Sequence, residues 1–171
     1  NAYLQDSIDL GDKLLLSAGM KLEENDFAGF GFQPGTRLSW MANDLNVLWA
    51  AYSKAHRQPS LRERYTTLSP LRYWVADLPP SPVYPTKWVN KSYAGGTSLD
   101  REEMDAYELG WRVRPNQDLL FELSTYHYDT KNAVRAASAS SVNAYEAKNA
   151  EAYGGELSVD WRVSGIWRLR G

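Results

Sequence analysis

The feature that most constrains this chain is a two-residue alternation that recurs along it, broken by connections of very unequal length. Over residues 105–114, Tyr107, Leu109, Trp111 and Val113 fall on one face of an extended chain. Ala106, Glu108, Gly110, Arg112 and Arg114 fall on the other. Over 153–163, Tyr153, Leu157, Val159, Trp161 and Val163 share a face against Gly154, Glu156, Ser158, Asp160 and Arg162. Period two marks a β-strand whose two faces meet different surroundings. Here one face carries full charges and the other carries large aromatic and aliphatic groups. The alternation also runs through 2–10 (Leu4, Ile8, Leu10), 13–23 (Leu14, Leu16, Ala18, Met20, Leu22), 36–42 (Leu38, Trp40) and 46–56 (Val47, Trp49, Ala51). With 118–129 and 166–170 this predicts an all-β fold, an antiparallel meander of about eight strands.

The connections decide what kind of meander this is. Gly11-Asp12, Asn43-Asp44, Pro115-Asn116-Gln117 and Ser164-Gly165 are tight turn signals. Between them lie 24–34, 57–101 and 130–150, which read as long connections. Short turns gather at one end and long loops at the other, the layout of outer-membrane barrels. Trp40, Trp49, Trp111, Trp161 and Trp167 all lie close to a short turn, which reads as an aromatic girdle at a membrane interface. The rival is a soluble antiparallel sandwich with these tryptophans in its core. Such a core gives no reason for tryptophan to collect beside one set of turns.

No apolar run approaches the roughly 18 residues of a membrane helix, which leaves barrel strands open because their signal per segment is weak. The chain has no cysteine, so a disulfide framework and thiolate metal sites are excluded. Its formal net charge of −2 argues against nucleic acid as a partner of the whole chain. It opens inside one strand pattern and stops inside another, so a piece of a longer protein is expected, with targeting information outside it.

Candidate chemistry concentrates in residues 57–101. This stretch holds six of the eight prolines and shows no period, and such a stretch in a compact domain is functional or disordered. It carries seven cations against three anions, a local charge of +4. The candidate ligand-binding residues are Arg57, Arg62, Arg64, Arg72, Tyr73, Trp74, Tyr84, Lys87, Trp88 and Tyr93. Cations interleaved with aromatics suit a planar or anionic ligand through charge pairing, stacking and hydrogen bonds. The plainer alternative is a cover for the barrel, or a contact for anionic surface lipid. Carboxylates at 108, 122, 156 and 160 are spread along several strands, and no raised-pKa acid stands out, so enzyme chemistry is not expected. His56 and His127 lack a second ligand at metal spacing. Ser124 and His127 face opposite sides of a strand. Gly95-Gly96 lacks the strand-to-helix setting of a phosphate loop. No metal or cofactor is expected.

The stretch QDSIDLGDKLLLSAGMKLEENDFAGFGFQPGTRLSW, followed by LWAAYSKAHRQPSLRE, resembles the β-barrel of TonB-dependent outer-membrane receptors. The family's L-W-A-A-x-S-R-A-x-R-x-P-S segment is matched from Leu48 to Ser60, with Lys54 where arginine is commoner. AYELGWRVRP and YGGELSVDWR also look like the family, and the resemblance covers nearly everything except 62–101. It implies a partial barrel over 1–171, with 57–101 and 130–150 as extracellular loops. The full barrel would have 22 strands around a plug domain. This chain would supply about a third of that barrel and none of the plug. Implied partners are the plug, an energy-transducing inner-membrane complex, outer-membrane lipid and a small-molecule ligand, with a cell outer-membrane location in a Gram-negative bacterium. A ferric siderophore best fits the charged, aromatic loop, ahead of cobalamin, haem or a glycan. The charged strand face would line the lumen against the plug. The alternatives are a passive porin-like or structural barrel and a soluble carbohydrate-binding β-sandwich.

Overall fold

The computed structural model describes residues 1–25, 29–65, 68–75, 87–93, 95–96, 99–137 and 145–171, with 68–75 and 87–93 described by their backbone. Among these residues the chain forms ten strands and one short helix: β1 (Ala2–Asp9), β2 (Leu14–Asn25), β3 (Gly29–Asn43), β4 (Asn46–Arg57), α1 (Leu61–Tyr65), β5 (Leu68–Val75), β6 (Lys87–Tyr93), β7 (Glu102–Asn116), β8 (Leu119–Ala136), β9 (Tyr145–Arg162) and β10 (Arg168–Arg170). Eight of them make one sheet in the order β1-β2-β3-β4-β7-β8-β9-β10, and β5-β6 make a separate ribbon. Every pairing is antiparallel. The expected eight-stranded meander is present, with β1 and β10 at its edges.

A sandwich is not what forms. Among the described residues no second sheet packs on the eight-stranded one. Among the residues whose burial is described, the buried hydrophobic side chains are Leu99 and Ala106. Large apolar groups instead stand uncovered on one face, with Leu109 61%, Leu157 65% and Tyr153 81% exposed. Bare apolar area on this scale needs an apolar medium to cover it.

The register orders that bare face into rows. Directly opposed residues share a face, so Trp40, Leu48, Trp111, Leu123 and Leu157 form one outward row. Leu38, Ala50, Leu109, Thr125 and Gly155 form the next row, and Tyr52, Tyr107, His127 and Tyr153 the one beyond it. Next come Lys54, Asp105, Asp129 and Glu151. The outward face thus passes from aliphatic to aromatic to charged within a few residues. On β9, Trp161 and Tyr153 stand eight residues apart, about 26 Å along the strand and, at a barrel tilt of about 35–45°, about 20 Å in height, somewhat under the height of about 25 Å of an apolar band between two aromatic girdles. Each girdle has its polar handle met: Trp111 Nε1 donates to Asn46 Oδ1 at 2.9 Å, and the Tyr52 hydroxyl donates to Asp105 at 2.7 Å.

Several expectations need correction. Trp49 does not belong to the girdle. It pairs with Ser39 and Gly110 on the charged face, leaving Trp40, Trp111 and Trp161 as the outward tryptophans of the turn end, beside an exposed Trp167. The girdle at the loop end, built from tyrosine, has no counterpart in the sequence reading. The strands from β2 to β4 and from β7 to β9 outrun the ranges read from the sequence. β8 and β9 have 18 each, about 60 Å of extended chain against a hydrocarbon core of about 30 Å. Much of 24–34 and 130–150 is therefore strand rather than loop. Only 137–144 separate β8 from β9, and the ladder continues to Ala136 opposite Tyr145 across a register shift between Thr130 and Ala133. The stretch 57–101 is likewise not without regular structure, since it contains α1, β5 and β6. The turns proper are Asp44-Leu45 and Gln117-Asp118. At the first of these, Asn43 Oδ1 accepts from the backbone N–H groups of Leu45 and Asn46.

Candidate functional site

The loop end is assembled from the sequence Arg57-Gln58-Pro59-Ser60-Leu61-Arg62-Glu63. Ser60 is the N-cap of α1. The Glu63 backbone N–H donates to Ser60 Oγ at 3.2 Å, and Glu63 Oε2 accepts from the Ser60 backbone N–H at 2.6 Å. This reciprocal arrangement satisfies two N–H groups that the helix start would leave unmet. The same carboxylate accepts from the Arg57 guanidinium at 3.1 and 3.3 Å. Arg57 also donates through Nε to Glu102 Oε1 at 2.6 Å, with a second, shorter bond from Nη2. Burial raises the Glu63 carboxyl, but the bonds from Arg57 and from Ser60 outweigh it and hold the group below the usual carboxylate range.

The returning arm closes on the same helix. Gly96 N–H donates to the Glu63 carbonyl at 3.0 Å, and Leu99 N–H donates to the Gly96 carbonyl at 3.0 Å. A side chain at Gly95 would come within 2.3 Å of the Arg64 carbonyl oxygen, so only glycine lets the two arms meet this closely. Leu99 is 5% exposed. Arg101 donates to the Phe30 carbonyl at 2.8 Å and to Glu103 at 3.2 Å. Asn132, with φ 56° beside the register shift of β8, donates through Nδ2 to the Arg101 carbonyl at 3.3 Å.

The ten candidate residues divide across this frame. Arg57 is committed to two carboxylates at the neck of the loop. Arg62 and Arg64 lie on α1, Arg62 exposed. Arg72, Tyr73 and Trp74 belong to β5, and Lys87, Trp88 and Tyr93 to β6. The ribbon register sets Trp74 opposite Trp88 and Arg72 opposite Asn90, which brings together residues distant in sequence. Tyr84 lies outside the described residues. Sequence reasoning missed Ser60, Glu63, Glu102 and Gly95 as parts of the site. The S-x-x-E spacing of Ser60 and Glu63 was the signal for the first pair, whereas Glu102 becomes visible only through register.

The inner face of the sheet forms a second polar surface. Trp49 lies over Gly110, where a Cβ would sit 2.1 Å from the indole ring, and Arg37 stacks on the indole at 3.8 Å. Tyr126 and Tyr128 stack at 4.7 Å, and the Tyr128 hydroxyl donates to Glu108 at 3.0 Å. Arg112 reaches Glu122 at 2.5 Å, and Asp160 takes Arg168 and Arg170. These are cross-strand ion pairs on the charged face. Trp49, Arg37, Glu108, Arg112, Glu122 and Tyr128, with Glu156 and Ser158, line a groove of about 770 Å³. Among the described residues no three His, Asp or Glu side chains converge to hold a metal ion.

The sequence profile of the family described as TonB dependent receptor-like, beta-barrel matches residues 1–171. No curated protein matches the sequence. Among solved structures, the chain is similar to the siderophore receptor PirA of Pseudomonas aeruginosa, with 20% identity, a TM-score of 0.75, and coverage of 98% of this chain and 29% of that one. It is similar to a mutant ferric enterobactin receptor, PfeA, from the same organism, crystallised with enterobactin, at 17% identity and a TM-score of 0.76, over 98% of this chain and 25% of that one. The Serratia marcescens hemophore receptor HasR, in complex with its hemophore and heme, shares 13% identity and a TM-score of 0.72 over 98% of this chain and 32% of its own. The chain thus spans about a quarter to a third of the length of these receptors. With an eight-stranded meander that follows theirs and a profile match along its whole length, the chain belongs to the TonB-dependent receptor β-barrel family.

Proposed function

We propose that this chain is part of the barrel of an outer-membrane receptor that captures a scarce nutrient at its loop end and imports it at the expense of external energy, with a ferric siderophore as the substrate class. The family comprises transporters rather than enzymes. The observation that carries the reading is the loop 58–101. It is rich in cations and aromatics and is held at both arms against the top of a sheet with two aromatic girdles. Arg62, Arg72, Trp74, Lys87 and Trp88 are the proposed contacts for an anionic, aromatic ligand, with Arg64, Tyr73, Tyr84 and Tyr93 behind them. The loops face the exterior, the turns face the periplasm, and the inner groove meets a plug through which an inner-membrane complex delivers energy. The siderophore receptors named above support this substrate class by their fold.

The test is binding of ferric enterobactin, haem, cobalamin and a linear glycan to the complete receptor in detergent, with wild type beside Arg72→Ala and Trp74→Ala. Saturable binding of the ferric siderophore, weakened at least several-fold by each substitution, supports the reading. Binding of haem, cobalamin or the glycan alone overturns the substrate class.

A further inference from the structure

We propose that Arg57 is a positioning residue: with Glu63 and Glu102 it forms a latch that fixes the capture loop on the barrel rather than touching the ligand. The proposal rests on the reading of 58–101 as a capture loop. Arg57 is the last residue of β4 and Glu102 the first of β7, and the two are partners in register. The whole loop therefore leaves and re-enters the sheet through this one pair. Glu102 Oε1 takes Arg57 and also accepts the backbone N–H of Val134 on β8 at 3.1 Å. Glu63 takes Arg57 while capping α1, and its carbonyl accepts Gly96 from the returning arm. One guanidinium thus ties β4 to α1 and β7, and reaches β8 and the returning arm through its two carboxylates.

An isolated surface ion pair holds little. This one differs in two ways. The planar guanidinium presents its donors to two carboxylates at once, a geometry that lysine does not offer. Both carboxylates are mostly covered, at 16% and 14% exposed, so losing the cation leaves two partly desolvated negative charges facing each other. A cation already neutralised by two anions also has little charge left to offer an anionic ligand. The chemistry thus separates Arg57 from the remaining loop cations.

The two roles predict opposite results for Glu102→Gln. If Arg57 contacts the ligand, loosening its partner leaves binding intact or improves it. If Arg57 is the latch, losing the anion weakens binding, as losing the cation does. In the complete receptor in lipid nanodiscs, hydrogen exchange would be followed at the amides of Arg64, Gly96 and Leu99, with ferric enterobactin as the binding probe. Arg57→Ala and Glu102→Gln are each expected to speed exchange at these amides about tenfold. Both should weaken the probe, Arg57→Ala the more because Glu102→Gln leaves the bond from Arg57 to Glu63 in place, and the double variant should be no worse than Arg57→Ala. The β7–β8 ladder amides should stay protected, which shows that the barrel is still folded. Unchanged exchange in either single variant overturns the latch. So does loss of probe binding in Arg57→Ala with normal binding in Glu102→Gln. A wild-type receptor that binds no ferric enterobactin counts against the siderophore reading, while the exchange pattern still decides the latch.

Discussion

Replacing Gly110 by alanine tests the inner face at its most crowded point. The added methyl would lie 2.1 Å from Trp49 Cε2 and 2.3 Å from Cζ2 and Nε1, so the indole must tilt off the sheet. Overpacking of this kind costs about 1–3 kcal/mol. The tilt also breaks the stacking of Arg37 on the ring, worth about 0.5–1 kcal/mol at a partly exposed site. Against this, removing glycine from a strand interior returns about 0.5–1 kcal/mol of backbone entropy. Collision wins, and the net expectation is a loss of about 0.5–3.5 kcal/mol, since the overpacking term exceeds the entropy term over most of its range. The assay is urea unfolding of the complete barrel in lipid, on wild type, Gly110→Ala, Trp49→Ala and the double variant. Without the indole the added methyl meets no ring, so in the Trp49→Ala background Gly110→Ala should be neutral or slightly stabilising. A coupling energy of at least about 1 kcal/mol is expected of residues in direct contact. Additive effects, within about 0.5 kcal/mol, would mean that Trp49 does not lie on Gly110 and would return it to the outer girdle.

Three further outcomes are expected. Leu109→Arg, between the two girdles, should cost about 2–4 kcal/mol and Trp111→Arg, at the girdle, about 0–1 kcal/mol; equal, negligible effects on folding into lipid would place that face out of the bilayer. In the complete receptor on intact cells, an impermeant thiol reagent should label a cysteine at Asn90 and spare one at Gly165, and the reverse pattern inverts the topology. The Glu63 carboxyl lies below its usual range, so its contribution to the loop base is present above the ordinary carboxylate pKa and is lost as pH falls through the lowered value. A spin label at Arg62 should therefore gain mobility on acidification into and below the carboxylate range, and a Glu63→Gln protein should be mobile at every pH. A wild-type label whose mobility ignores pH would detach the carboxylate from the latch.

What the sequence shows of this fold depends on where the two faces of a strand meet different surroundings. Between the girdles one face is apolar and the other charged, so Leu109, Trp111 and Val113 alternate visibly with Glu108 and Arg112, and all of them lie where the alternation puts them. On β8 and β9 beyond the tyrosine girdle both faces carry small and polar residues. The ladder continues there through Val134 and Ala147, but no difference in surroundings remains to write a period, and the strand reads as a polar loop. The segment from Gly29 to Phe32 misleads in another way. Its glycines resemble a loop, yet they alternate with two exposed phenylalanines, and a side chain at Gly31 would come within 3.1 Å of His56 Nδ1. β4 is ambiguous for the opposite reason, because Val47, Trp49 and Ala51 are as apolar as Leu48, Ala50 and Tyr52. Only partners decide: Arg112 and Glu108 stand opposite Val47 and Ala51, which assigns that set, and Trp49 with it, to the interior. The loop base follows the same logic. Ser60 and Glu63 are close in sequence and their bond is legible as spacing, while Arg57 and Glu102 meet only because β4 and β7 pair. Local chemistry is therefore readable along the chain, and the latch is readable only across it.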